Sequence, residues 1–118
     1  MAVTSQRTGA ITFSGDVNAQ ISLAPVSNTQ APGDIDILSL STGANTITLP
    51  TGGSTPKGAV IIPPSGNAVA LTLKGVGGDT GIALNKTEPA IVTFDSPPPA
   101  SFVINAAAVV NGLRIVWT

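Results

Sequence analysis

The sequence predicts an all-β fold: an antiparallel β-sandwich of about eight to ten short strands, of the jelly-roll or Greek-key type. Three observations predict it. Short runs with two-residue alternation recur along the chain, separated by Gly, Pro, Asn, Asp and Ser. Ten prolines and thirteen glycines punctuate the 118 residues, and no uninterrupted stretch carries a 3.6-residue period. The runs are too short for one long sheet, so two packed sheets are the economical way to bury one face of each. A closed barrel is the second choice.

The elements follow in chain order. ITFSG, from Ile11 to Gly15, alternates apolar and polar residues, and NAQISLAP places Ala19, Ile21 and Leu23 on one face. In IDILSLS, Ile35 and Ile37 open an extended run that continues through Leu38 and Leu40; the change of phase suggests a bulge. NTITLP puts Ile47 and Leu49 inside and ends at Pro50. GAVIIPP is a short apolar run closed by Pro63 and Pro64. AVALTLKG sets Val69, Leu71 and Leu73 against Ala70, Thr72 and Lys74 on the other face. IAL, IVTF and SFVIN are three further runs, and in LRIVW the residues Leu113, Ile115 and Trp117 share a face opposite Arg114 and Val116. The best helical stretch, Ala106 to Val110, allows one turn at most and is closed by Asn111-Gly112, which reads as a turn.

Composition narrows the function. Cys and His are absent, which removes disulfides, zinc sites, thiol nucleophiles and imidazole chemistry. The cations Arg7, Lys57, Lys74, Lys86 and Arg114 are scattered, so no nucleic-acid partner is expected. No apolar stretch reaches the roughly 18 residues of a membrane helix, and the N-terminus lacks a signal-peptide pattern, so a soluble, cytoplasmically made protein is expected with no membrane partner. Charged residues are only 9 %, against roughly a quarter in ordinary domains. Either partners cover much of the surface, or Thr and Ser keep it polar without charge.

No residue set announces a reaction. Glu88 is the only glutamate and sits in the turn-like NKTEP, and no serine lies in a G-x-S-x-G elbow. No enzyme, cofactor, catalytic or metal site is therefore expected. Asp34 and Asp36 are two apart and would point to one side of a strand, but they supply few of the six to eight oxygens that calcium takes, and read better as turn and cap residues. LKGVGGDTGIAL meets neither the P-loop nor the Rossmann spacing. It reads as two strands joined by a glycine turn, with Asp79 accepting backbone N–H bonds and Thr80 beginning the next strand.

Three stretches read as loops or arms. Residues 1–8 form an expected N-terminal arm before a single sandwich domain over 9–118. PVSNTQAPGD, from Pro25 to Asp34, shows no apolar period, and Pro97-Pro98-Pro99 reads as a stiff extended spacer. The candidate interface residues are accordingly Met1, Ala2, Val3, Thr4, Ser5, Pro25, Pro32, Pro97, Pro98 and Pro99.

The run NAVALTLKGVGGDTGIALNKTEPAIVTFDSPPPASFVINA, with the closing GLRIVWT, resembles small β-rich structural proteins of tailed bacteriophages and prophages. The shared features are short strands rich in Thr, Gly and Pro, low charge, and a lack of Cys and His. The resemblance implies a virion component, foremost a capsid decoration protein that binds the particle surface through loops and strand edges. It also implies a major capsid protein or other virion protein as partner, a homo-oligomer such as a trimer, and no catalytic residues. A tail or baseplate accessory protein is the alternative. A carbohydrate-binding sandwich is another, although Trp117 falls in an alternating strand and reads as core.

Overall fold

A computed structural model describes residues 3–13, 15, 19–31, 35–51 and 55–118. Among them are ten strands, one for each run read above: β1 (Val3–Phe13), β2 (Ala19–Ala31), β3 (Ile35–Leu40), β4 (Gly43–Thr48), β5 (Gly58–Ile62), β6 (Leu71–Lys74), β7 (Ile82–Leu84), β8 (Ala90–Thr93), β9 (Ser101–Ala106) and β10 (Val110–Trp117). Eight of them form two four-stranded antiparallel sheets packed against each other, ordered β3-β10-β5-β8 and β4-β9-β6-β7. The pairing is nested. β3 pairs with β10, β4 with β9, β5 with β8 and β6 with β7. A ribbon so paired along its length, wrapped until β10 also meets β5 and β6 meets β9, is the double-sheet jelly roll.

The inner faces are aliphatic. Leu113, Ile115 and Trp117 of β10 face inward, with Ile61 of β5 and Leu40 of β3, and meet Ile47, Leu71, Phe102, Ile104 and Ala106 of the other sheet. Phe102 bridges the sheets: its ring centre lies 6.0 Å from that of Trp117 and 6.2 Å from that of Phe94. The expectation that Trp117 is core holds, since its side chain is buried.

The turns are pegged by Asn and Asp side chains, which mimic backbone acceptors. Asn45 accepts from the Ser41 amide and donates to the carbonyls of Ser41, Gly43 and Ile104. Asn67 and Asn85 hold the connections before β6 and after β7. Asp79 does what the sequence predicts: its Oδ2 accepts from the amides of Gly75 at 3.1 Å and Val76 at 3.0 Å. The next strand begins at Ile82 rather than Thr80. Gly81 lies between them at φ +78°, where a Cβ would stand 2.6 Å from the Leu73 carbonyl oxygen.

Four readings are corrected. Ala106 to Val110 holds no helical turn; Ala107 and Ala108 bend and β10 begins at Val110. Asn111-Gly112 is not a turn but part of β10, where Gly112 at φ +86° makes an extra residue opposite β3. The bulge expected within IDILSLS therefore sits on the partner strand. Pro97–Pro99 do not run as a straight spacer: the chain bends at Ser96 and Pro97, across a cis peptide, on its way from one sheet to the other.

The largest correction concerns the N-terminal third. Val3–Thr8, expected as an arm, belong to β1, and Pro25–Ala31, expected as a loop, belong to β2. The two strands form a sheet of their own. β2 carries one extra residue opposite Thr4 and another opposite Thr8. Pro25 falls in the second bulge, one of the places a strand tolerates proline. Each bulge shifts the alternation by one, which hides the strand from a period-two reading.

Candidate interaction surface

Strand parity assigns every side chain of the sandwich to one face. On the sheet β3-β10-β5-β8 the outward positions are Ile35 and Ile37, Arg114 and Val116, Val60 and Ile62, then Ile91 and Thr93. Ladder pairing lines up Ile35, Val116, Val60 and Ile91 in one row across all four strands, with Ile37, Arg114 and Ile62 in the next. Ile35 is 62 % exposed, Ile37 72 % and Ile91 64 %. Val60, Ile62 and Val116 are half-buried. Arg114 is the single charge in the two rows.

Asp36 fixes which side of β3 faces out. It is neither a turn nor a cap residue. It points inward beside Leu38, and its Oδ2 accepts the indole N–H of Trp117 at 2.9 Å. A carboxylate is admitted to the inner side because a buried donor needs it there. With Asp36, Leu38 and Leu40 inward, Ile35 and Ile37 must point outward. Asp34, its sequence neighbour in the calcium reading, lies outside the described residues. Among the described residues no three of the acidic side chains gather.

The second exposed surface is the β1–β2 ribbon. Gly9 pairs with Leu23, Ala10 with Ser22, Ile11 with Ile21 and Thr12 with Gln20; the side chains of Ile11 and Leu23 lie among exposed residues of the ribbon. Ile11 is 47 % and Leu23 51 % exposed. The ribbon is fastened to the sandwich at its far end. Asn28, which is buried, donates to the Thr55 carbonyl at 2.9 Å, and Lys57 Nζ donates to the Ser27 carbonyl at 3.1 Å.

Of the interface residues expected from sequence, Val3, Thr4, Ser5 and Pro25 fall on this ribbon. Pro97 and Pro99 are exposed and Pro98 half-buried on the β8–β9 connection. Met1, Ala2 and Pro32 lie outside the described residues. Sequence reasoning missed the outer sheet face. Its signal was present in IDI, GAVII and IVT, where apolar residues occupy positions of both parities.

Two clefts open where the sheets separate at their edges. One, of about 380 Å³, lies between β3 and β4 along Asp36, Leu38 and Ile47. The other, of about 480 Å³, is lined by Leu73, Ile82, Val92, Phe94 and Phe102 with Lys74 and Asp79 at its rim. The two aspartates are thus held in different clefts, each engaged by a structural hydrogen bond.

No family model matches this chain, and comparisons with curated proteins and with solved structures give no match. Among the described residues, the exposed aliphatic row of the β3-β10-β5-β8 sheet is the largest departure from an ordinary solvated sheet face.

Proposed function

We propose that this chain is a non-enzymatic structural protein of a phage virion, a capsid decoration protein that attaches to the particle surface and to copies of itself. The observation that carries the reading is the row Ile35, Val116, Val60 and Ile91, an aliphatic strip across a whole sheet on the outside of the molecule. A solvated sheet face alternates to polar residues, so an aliphatic one marks a contact surface. Low charge supports the same reading, because aliphatic and hydroxyl surface is desolvated at lower cost than charge. The sequence resemblance to tailed-phage structural proteins supplies the virion as the setting, with a major capsid or other virion protein as partner.

The test is addition of the purified chain to particles assembled without it, followed by sedimentation. Co-sedimentation at fixed stoichiometry is expected. A chain that stays in the supernatant at saturating concentration overturns the proposal. Neighbouring genes for a major capsid protein favour the head; genes for a tail tube place the same surface on the tail.

A further inference from the structure

We infer that the face of the β1–β2 ribbon carrying Ile11 and Leu23 in one copy docks on the outer face of the β3-β10-β5-β8 sheet of a second copy. This deepens the self-association proposed above and does not depend on the virion setting.

The chain exposes 7134 Å², where a folded monomer of 11.7 kDa exposes about 5,900 Å². Its radius of gyration is 15.6 Å, against about 13.5 Å for a compact chain of this length. The surplus of about 1,200 Å² matches what a protomer loses when it donates one surface and receives another, at roughly 600–800 Å² each. A two-stranded ribbon is at best marginally stable by itself, so its exposed Ile11 and Leu23 gain most from a cover.

The occupant follows from charge and shape. Two copies meeting sheet to sheet about a two-fold axis would bring Arg114 of each toward the middle of a dry contact, and buried like charges are costly. On the ribbon, Ile11 and Leu23 are exposed apolar side chains, and with Gly9 they carry no charge. The paired stretch of residues 9–13 with 19–23 is about 14 Å long, against four strands spanning about 19 Å. The Arg114 stem can lie along such a surface with its guanidinium at the margin. The molecule's own ribbon does not serve its own sheet: Asn28 and Lys57 fasten it beside the start of β5, and Ile11, Leu23, Ile35, Ile37 and Ile91 all stay exposed in one chain. Donor and acceptor are different patches, so each copy has one of each to offer: two copies can exchange ribbons about a two-fold axis, or successive copies can join head-to-tail.

Complementation tests it. In light scattering, the full chain is expected to form an oligomer. Leu23→Asp disables the ribbon and Ile37→Asp the face, each weakening self-association by roughly 30-fold or more. Mixed in equal amounts, the two variants are expected to form a one-to-one heterodimer, since one keeps an intact ribbon and the other an intact face. A monomeric wild type, a Leu23→Asp variant that assembles normally, or a mixture that stays monomeric overturns the inference. Circular dichroism checks folding, and Ile37→Thr replaces Ile37→Asp if the charge disturbs the strand. Loss of particle binding with the oligomer intact removes the virion reading and leaves this one standing; a monomer that binds particles does the reverse.

Discussion

The two outer faces of the sandwich have the same strand number and the same topology, but opposite chemistry. Across β4-β9-β6-β7 the outward row is Ala44, Asn105, Thr72 and Ala83, with Thr46, Lys74 and the buried Val103 beside it. Across β3-β10-β5-β8 it is Ile35, Val116, Val60 and Ile91. The inner faces of both sheets are equally aliphatic, so folding requires the same of each. The outer difference is therefore surplus to folding. Low overall charge is not spread evenly: one face carries hydroxyl, amide and small side chains, and the other is aliphatic but for Arg114.

If folding treats the sheets alike, truncation at their inner faces should cost alike. Ile115→Ala and Ile104→Ala remove fully buried side chains from opposite sheets. Each is expected to lose about 2–5 kcal/mol in urea unfolding. A loss on one sheet several-fold larger than on the other would mean that the sheets do not share one core, and the comparison of their outer faces would lose its common reference.

Next in size is Asp36, which holds the parity of β3. Asp36→Ala leaves the Trp117 indole N–H without its acceptor and is expected to cost about 1–3 kcal/mol. Asp36→Asn keeps an acceptor oxygen and should cost less. Equal losses for the two would show that the hydrogen bond does not set which isoleucines point outward.

These residues also show what sequence could reveal. Clean alternation in LRIVW and AVALTLKG reports one buried face, so their parity was readable, and the GGD turn announced its peg. IDI and GAVII are apolar on both sides. Period-two reasoning then has no contrast to work with, and long-range contacts decide the side: on β3 the Asp36–Trp117 bond, 81 residues apart, and on β5 the packing of Ala59 and Ile61 into the core. The far part of the ribbon, Val3–Thr8 with Pro25–Ala31, was illegible for a different reason. Two bulges break its alternation, and Pro25 reads as a loop unless the bulge that accommodates it is known.

A smaller effect is expected at the Asp79 peg, which serves the edge of the polar sheet. Asp79→Ala removes acceptors for two exposed amides and is expected to cost about 0.5–2 kcal/mol, by analogy with a lost helix cap. An unchanged melting temperature combined with lost ligand or metal binding would turn the loop from a fastening into a site.

The smallest stability effect carries the comparison furthest. Ile37→Thr changes a side chain that is 72 % exposed, and should alter the monomer's stability by no more than about 0.5 kcal/mol. Thr is also β-branched, so strand preference is preserved. Binding of a hydrophobic dye to the variant should fall, while Thr46→Ile on the other face should raise it without restoring assembly. A loss above about 1 kcal/mol for Ile37→Thr, measured at concentrations where the chain is monomeric, would mean that Ile37 is covered within its own molecule. The aliphatic row would then belong to the core, and the two faces would differ only in how the chain covers them.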